Sequence, residues 1–129
     1  MKSPMIATYR IKRVYETATA GDGSRVLVDR LWPRGISREK AGIDIWLKAL
    51  APSDTLRRAF HGNPDGWESF RAAYAAELAA PEAAEAVAEL RRLAAAGPVT
   101  LLYAARDERH NNAEALRLWL AAQGSPPRG

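Results

Sequence analysis

The stretch RVLVDRLWPRGIS, residues 25–37, joins a short apolar run to a dense group of charged and rigid residues. The run contains Val26, Leu27 and Val28, consecutive β-favouring side chains that are typical of a strand buried on both faces. The segment VTLLYAA, which begins at Val99, is apolar in the same way. Both segments are therefore predicted to lie inside a sheet that is covered on both faces.

The order of the other elements indicates how these two strands are connected. The segment ATYRIKRVYE alternates, with Tyr9, Ile11 and Tyr15 on one side, and predicts a half-exposed strand before them. Several helices are predicted between the two buried strands, and a helical crossover of this length joins parallel strands. The predicted fold class is α/β, a small single-domain sandwich with a short, mostly parallel sheet covered by helices.

Caps and apolar spacing locate the helices. Ser37 is predicted to cap a short helix, and Ser53 to cap one that runs to Phe60 and stops at Gly62. Residues 65 and 68 have the acidic spacing of a capping box. The predicted apolar stripes are Ile43, Trp46, Leu47 and Leu50, then Trp67, Phe70, Tyr74 and Leu78, then Val87, Leu90 and Leu93, and finally Leu116, Trp119 and Leu120.

Length and composition narrow the class of protein. The chain has 129 residues, the size of one domain, predicted to occupy residues 1–123 and to be followed by a flexible C-terminal tail at residues 124–129. It has no cysteine, which excludes disulfides and thiolate chemistry and favours an intracellular protein. No apolar run approaches the ~20 residues that span a bilayer, and no secretory signal is visible. A soluble, cytoplasmic protein without a membrane partner is predicted.

Charge is unevenly distributed along the chain. Residues 1–62 hold 12 basic and 6 acidic side chains, whereas residues 63–129 hold 7 basic and 9 acidic ones, for a net charge of +4. The basic half is suited to an anionic partner, either a phosphorylated small molecule or, less favoured, a nucleic acid. An alternative explanation of this charge distribution is a small surplus of arginine that only maintains solubility.

A binding site is predicted where two charged loops follow the two buried strands. Ligands of parallel sheets collect beyond the carboxyl ends of the strands. DRLWPRG follows the first buried strand, and ARDERHNN follows the second and leads into the last helix. Arginines of both loops, with the free amides of the helix start, would form an anion pocket. The predicted ligand-binding residues are Arg30, Trp32, Arg34, Arg106, Arg109, Asn111 and Asn112.

Residue type indicates what the members of this site would do. Asp29 would orient an arginine, and Pro33 would fix the conformation of the first loop. Trp32 would form a wall of the pocket or stack on a ring. Asn111 or Asn112 would either cap the last helix or donate to a ligand.

If the site is catalytic, general acid–base work on a bound anion is the chemistry that its residues allow. The candidate catalytic residues are His110, His61 and Asp29. His61 ends a predicted helix, where the helix dipole by itself favours a cation, and His110 is equally well explained as a solvated residue at a helix start. The two histidines form no metal motif, and the chain has no phosphate loop or dinucleotide fingerprint. No metal and no cofactor are predicted.

Two other functions remain open on the sequence. In a structural or interaction module, Asp29 would pair with Arg34 or Arg106 and the loops would only brace the fold. In a nucleic-acid-binding protein, the basic half would contact phosphates. The residues available for that contact are Lys12, Arg13, Arg25 and Arg38, together with Tyr9 or Tyr15. The oligomeric state is undetermined.

The motifs VDRLWPRG, AFHG, WESFRAAYAAEL and LLYAARDERHNNA, in this order, resemble those of the YeaO-like family, small bacterial proteins grouped as domain of unknown function 488. The resemblance runs from about Lys12 to Leu120. It implies a compact α/β fold, marks the two charged loops as the family's signature, and implies no established activity. Longer relatives carry cysteines in the region that matches Ala104 to Asn112. This chain has alanine, asparagine and histidine there, so a thiol-based role does not transfer. Some similar sequences bear transcription-regulator labels, but this chain has no recognition helix that would support one.

Overall fold

A four-stranded, entirely parallel sheet organises the chain in the computed structural model, which describes residues 9–60 and 63–124. The strands are β1 (Tyr9–Arg13), β2 (Ser24–Leu27), β3 (Ile45–Trp46) and β4 (Val99–Tyr103), and their order across the sheet is β1-β4-β2-β3. The two predicted interior strands, β2 and β4, are direct neighbours that run in the same direction. The predicted α/β class and parallel sheet are confirmed.

Five α-helices accompany the sheet in the part of the chain that the structure describes. They are α1 (Arg38–Ala41), α2 (Asp54–Phe60), α3 (Trp67–Leu78), α4 (Pro81–Ala96) and α5 (Asn112–Gly124). Ser37 and Ser53 cap α1 and α2 as predicted, since their hydroxyl oxygens accept the backbone N–H groups of Lys40 and Leu56. Gly124 is the last residue of α5, and the rest of the predicted tail, like the predicted helix stop at Gly62, lies outside the described residues.

One face of the sheet carries the larger core. Val26 and Leu101 point to this face and pack against the buried stripes of α3, α4 and α5. The side chains that these helices contribute are Phe70, Tyr74, Leu78, Ala83, Val87, Leu90, Leu116 and Leu120. Burial of this apolar surface fixes the three long helices on one side of β2 and β4.

The opposite face has a smaller core made by the alternate strand residues. Leu27 and Leu102 pack there with Val14, Ala41 and Ile43, so α1 and the connections around it cover this side. Successive strand residues point to opposite faces. Because both faces are buried, β2 and β4 need apolar side chains at consecutive positions, which is the pattern that the sequence shows.

The structure corrects the helix that was predicted to carry Ile43, Trp46, Leu47 and Leu50. The helix α1 ends at Ala41 because Gly42 adopts the left-handed conformation, with φ of 65°. The following residues form β3, which pairs with β2 and lets Leu47 N–H donate to the carbonyl of Leu27 at 3.0 Å. Pairing with an open sheet edge satisfies backbone groups over a long sequence distance and overrides the local helical spacing.

The predicted capping box of Asp65 and Glu68 is also wrong. The helix α3 begins at Trp67, its N-cap is Gly66, and no side chain caps it. A 3₁₀ turn, Pro64–Gly66, leads directly into the helix. The turn therefore places a glycine at the N-cap position, where Asp65 was expected.

A buried ion-pair network completes the second face of the sheet. Asp22 and Arg25 are only 1% and 3% exposed, and Arg25 Nη1 lies 2.7 Å from Asp22 Oδ2. Lys12 Nζ donates to both carboxylate oxygens, at 3.0 and 3.1 Å, and Thr19 donates at 2.8 Å. Burial opposes ionisation of Asp22, but the hydrogen bonds from Lys12, Thr19 and Arg25 outweigh it and lower the pKa of this carboxyl.

Arg25 also holds several backbone carbonyls together. Its guanidinium donates to Ala41 O at 2.7 Å, to Gly42 O at 3.2 Å and to Glu16 O at 3.2 Å. The network thus ties the β1–β2 connection to α1 beneath the sheet. Among the described residues, no helix combines the length and apolar composition needed to cross a bilayer.

Candidate functional site

A cavity of about 750 Å³ opens at the carboxyl ends of the strands. We call it the strand-end cavity; it lies between the β2 loop (residues 28–37), the β4 loop (residues 104–111) and the helices α2 and α3. The predicted site residues that line it are Asp29, Arg30, Trp32, Arg34, Arg106, His110, Asn111 and Asn112. Arg109 is exposed and is not among the described residues that line it. His61 lies outside the described residues.

Asp29 joins the two loops to each other and to α5. Its Oδ2 accepts the backbone N–H of Ala104 at 2.9 Å, and its Oδ1 accepts Asn112 Nδ2 at 3.0 Å. Asn112 Nδ2 also donates to the carbonyl of Val28 at 3.0 Å. Burial raises the pKa of Asp29, and the hydrogen bonds from Asn112 and Ala104 oppose that rise.

Asp29 does not pair with an arginine, in contrast to both sequence interpretations. Among the described residues it has no ion pair, so it neither orients an arginine nor bridges to Arg34 or Arg106. The physical reason is that the end of β4 and the start of α5 both lie close to Asp29. This proximity brings a backbone N–H and the amide of Asn112 to the two carboxylate oxygens, where an arginine was expected.

The β2 loop is held in shape by its own aromatic residues. Trp32 Nε1 donates to Ile36 O at 2.8 Å, and its ring lies edge-on to Trp46 with a centroid distance of 5.4 Å. Trp46 Nε1 in turn donates to the carbonyl of Asp29 at 2.7 Å. Trp32 therefore lines the cavity and also links the middle of the loop to its end. Trp46 of β3 contacts the loop through both the Trp32 ring and the Asp29 carbonyl.

The end of β1 positions both loops, a role that the sequence analysis did not assign to it. Arg13 donates to the carbonyls of Ala104 at 3.0 Å and Ala105 at 2.9 Å, and its guanidinium lies 5.2 Å from the centroid of the Tyr15 ring. The Tyr15 hydroxyl donates to Arg34 O at 3.0 Å. The signal for this role was partly available, since Arg13 and Tyr15 lie at the end of the segment predicted as a strand. The structure shows that this strand runs parallel to β4, which places its end at the same edge of the sheet.

The cations of the cavity differ in how they are compensated. Arg30 and Arg57 both face Asp54, at 3.5 and 3.0 Å. Arg34 and Arg106 are exposed, line the cavity from opposite loops, and have no ion pair or donated side-chain hydrogen bond within residues 9–60 and 63–124. The positive charge of these two guanidinium groups is therefore uncompensated in the described part of the protein.

The β4 loop ends in a cap for α5. Asn111 is buried, and its Oδ1 accepts the N–H of Glu114 at 2.8 Å while its Nδ2 donates to Asp107 O at 2.9 Å. Of the two predicted roles, Asn111 therefore fills the capping one. The backbone N–H groups of His110 and Arg109 bond to the exposed Asp107 carboxylate and lower its pKa.

His110 lies at the mouth of the cavity. Its Nδ1 is 3.2 Å from Asp107 Oδ2, and its ring is edge-on to Trp67 at a centroid distance of 5.1 Å. The side chain is 43% exposed. One ring nitrogen is thus oriented by a carboxylate, an arrangement that can transfer a proton or bind an anion when the imidazole is charged.

Apolar side chains from outside the two loops complete the lining. Phe60 comes from α2 and Phe70 from α3, and their rings stack with a centroid distance of 4.6 Å. The helix α2 is held against α3 because Glu77 accepts Ser53 N–H at 2.8 Å and Ser53 Oγ at 2.6 Å. The sequence predicts that Phe60 and Phe70 lie on helices, but no local pattern indicates that α2 lies over the strand ends.

The side chains named for nucleic-acid binding have partners inside the protein. Arg25 is buried and Lys12 is paired with Asp22, so neither is free to contact a phosphate. Arg38 donates to Ile43 O and Asp44 O, and Arg13 donates to the β4 loop. These four cations of the first half of the chain therefore have structural partners within the protein.

The fold and the strand-end cavity together define a small parallel α/β protein with a cationic, partly aromatic pocket. The family model DUF488-N3i, described as the inactive DUF488-N3 subclade, matches residues 8–125, and the chain belongs to this family. It is 46% identical to the uncharacterised protein YeaO of Escherichia coli (strain K12) over 109 residues, 84% of this chain and 93% of the relative. The predicted YeaO-like membership is confirmed.

More distant relatives support the same assignment. The chain is 40% identical over 107 residues to uncharacterised proteins of Mycobacterium tuberculosis (strain ATCC 25618 / H37Rv) and Mycobacterium bovis (strain ATCC BAA-935 / AF2122/97). These matches cover 83% of this chain and 88% of each relative. No solved structure is significantly similar to the chain.

Proposed function

We propose that the protein binds a small molecule with a phosphate or carboxylate group in the strand-end cavity. The observation that supports this function is the pair Arg34 and Arg106, two guanidinium groups from separate loops that line one cavity without a described counter-ion. Guanidinium groups bind carboxylates and phosphates through paired, charge-assisted hydrogen bonds. An anion between the two loops would supply the compensation that the protein's own carboxylates do not.

The proposed activity is binding without turnover. The matching family model is described as an inactive subclade, which supports a ligand-binding role over an enzymatic one. The environment of Asp29 agrees, because both of its oxygens are occupied by donors from the protein. In this role Asp29 holds the loops in place. His110, the other described acid–base candidate, would contribute positive charge when protonated.

Alanine substitution of Arg34 or Arg106 tests this proposal. Each variant is expected to lose roughly tenfold to a hundredfold in affinity for inorganic phosphate or for an organic acid, because a hydrogen bond to a charged group contributes ~1.5–3 kcal/mol. Thermal-shift titration followed by calorimetry measures the change. Arg109→Ala is the matched control, since it removes a cation of the same loop that does not line the cavity.

The same variants separate binding from a purely structural role of the loops. If the loops only brace the fold, no anion should stabilise the wild type, and neither variant should change an anion titration. The ligand-binding proposal expects unchanged melting temperatures without ligand, because neither guanidinium donates a hydrogen bond within the described residues. Arg34→Ala and Arg106→Ala proteins that retain full anion affinity would refute it.

Replacing Asn112 tests directly whether its hydrogen bonds to Asp29 and Val28 stabilise the fold. Asn112→Ala is expected to lower the free energy of unfolding by about 1–3 kcal/mol, because the half-buried Asp29 carboxylate and the Val28 carbonyl lose a shared donor. Chemical denaturation measures this change. Asn63→Ala is the control, since Asn63 is an exposed residue of the cavity wall. Equal stability of the two variants would contradict the bracing role.

A further inference from the structure

The strand-end cavity is much larger than an inorganic anion. A phosphate ion occupies roughly 150 Å³ if each of its heavy atoms takes the ~30 Å³ of a water molecule. The cavity measures about 750 Å³, within the range of ~300–1,000 Å³ of sites that hold organic ligands. An anion bound by Arg34 and Arg106 would leave most of this space for the rest of the molecule that carries it.

The remaining lining is largely apolar and aromatic. Phe60, Phe70 and Trp32 reach the cavity from three different elements, and Pro52 and Leu31 also line it. Leu31 is 67% exposed, and it is one of two large hydrophobic side chains that are exposed among the described residues. Bound apolar surface would cover Leu31 and gain the free energy of its removal from water.

The arrangement of these rings favours a flat partner. Phe60, Phe70 and Trp67 form one aromatic cluster with centroid distances between 4.6 and 5.8 Å, and two of its members face the cavity. Aromatic rings prefer other rings in stacked or edge-on geometry. Arginine side chains, which also line the cavity, stack on aromatic faces. An aromatic ring can stack on both the aromatic and the arginine side chains of the cavity, whereas an aliphatic chain makes only apolar contacts.

We propose that the ligand is an aryl phosphate or aryl carboxylate, with its anionic group between Arg34 and Arg106 and its ring against the Phe60–Phe70 wall and Leu31. This inference rests on the proposed anion-binding function and specifies the class of molecule. The anionic group would pair with the guanidinium groups of Arg34 and Arg106, which have no ion pair among the described residues, and the ring would fill the apolar part of the cavity. The phosphate and the carboxylate share the chemistry that a guanidinium pair recognises.

Calorimetric titration with a matched set of probes tests the inference. The probes are phenyl phosphate, cyclohexyl phosphate, inorganic phosphate and phenol, with benzoate and cyclohexanecarboxylate as the carboxylate arm. Phenyl phosphate is expected to bind on the order of 50-fold more tightly than inorganic phosphate, from burial of the ring. It is expected to bind roughly 2- to 10-fold more tightly than cyclohexyl phosphate, from aromatic contact.

Two variants locate the ring. Leu31→Ala should fold normally, because the side chain is mostly exposed, and should weaken phenyl phosphate by about threefold or more while leaving inorganic phosphate unchanged. Phe60→Leu keeps an apolar side chain but removes the stacking surface, so it should abolish the preference of phenyl over cyclohexyl phosphate.

The outcomes distinguish this inference from the proposed function. If all phosphates bind with one affinity and binding depends on Arg34, anion binding stands and the aryl inference is overturned. If cyclohexyl phosphate binds as tightly as phenyl phosphate, the aromatic part is overturned alone. If phenol binds as tightly as phenyl phosphate, or no probe binds in an Arg34-dependent way, the proposed anion-binding function fails and this inference fails with it.

Discussion

Replacing Asp22 with alanine is expected to lower the free energy of unfolding by about 3–5 kcal/mol, because the variant leaves the buried charge of Arg25 uncompensated. Arg25 cannot turn to solvent without leaving the carbonyls of Ala41, Gly42 and Glu16. Loss of Asp22 also removes an acceptor of Thr19 and leaves Lys12 with only the carbonyl of Thr17 as a described acceptor. Urea denaturation of the wild type and the variant at neutral pH measures the difference.

Asp54 provides the matched control for Asp22. It contacts three arginines, Arg30, Arg57 and Arg58, but 44% of its side chain is exposed. Exposed ion pairs are screened by water and contribute little. Asp54→Ala is therefore expected to unfold at nearly the wild-type denaturant concentration. Equal losses of stability in the two variants would show that burial does not determine the strength of the Asp22 network.

The Asp22 network also predicts a dependence on pH. The pKa of Asp22 is lowered in the folded protein, so its stabilising contribution is present above the unfolded-state pKa of ~3.9 and is lost as the pH falls towards the folded-state pKa. The stability difference between wild type and Asp22→Ala should be constant from pH 5 to 7 and should shrink below about pH 4. A difference that grows on acidification would contradict this sign.

Replacing Gly23 with alanine is expected to have an effect of similar size. Gly23 has φ of 64° and ψ of −133°, a conformation that side-chain-bearing residues rarely adopt, and an added Cβ would lie 2.1 Å from Pro98 O. The strained backbone contributes ~1–3 kcal/mol. Displacing β4 from the start of β2 contributes a further ~1–3 kcal/mol. The same carbonyl accepts Ser24 N–H at 3.0 Å, so the two strands cannot separate without losing this hydrogen bond.

Two other glycines separate the backbone-strain contribution from the contribution of the steric contact with Pro98. Gly35 has φ of 71° but open space around its Cβ direction, so Gly35→Ala should show only the conformational part, about 1 kcal/mol. Gly97 is extended and also has open space, so Gly97→Ala should be close to neutral. Thermal denaturation of the three variants gives the ranking. If Gly35→Ala is as destabilising as Gly23→Ala, the contact with Pro98 is not the cause.

Consecutive apolar residues allowed the two interior strands to be predicted correctly. Val26 and Val28 face one core and Leu27 faces the other, and a strand covered on both faces is typically apolar at consecutive positions in this way. The parallel pairing of β2 with β4 followed from the long helical crossover. Once the strands were known, the place of the charged loops followed, because their chain positions put them at the carboxyl ends.

The partners of the polar side chains could not be predicted in the same way. Asp29 bonds to the N–H of Ala104, 75 residues away, and to Asn112, 83 residues away. The sequence predicted Lys12 and Arg25 as cations available to a phosphate, but the path of the β1–β2 connection brings Asp22 between them. No local pattern records such contacts, since they depend on where distant backbone segments meet.

By itself, the sequence determined the fold class, the two buried strands and the edge of the sheet at which arginines collect. These properties depend on side-chain periodicity and on chain order, which are local or topological. The tertiary structure alone decided that β3 is a strand, that Asp29 braces two loops, and that Phe60 reaches the cavity. Each of these depends on backbone groups or helices from distant segments coming within contact distance, and burial and hydrogen bonding then select among partners that the sequence leaves equivalent.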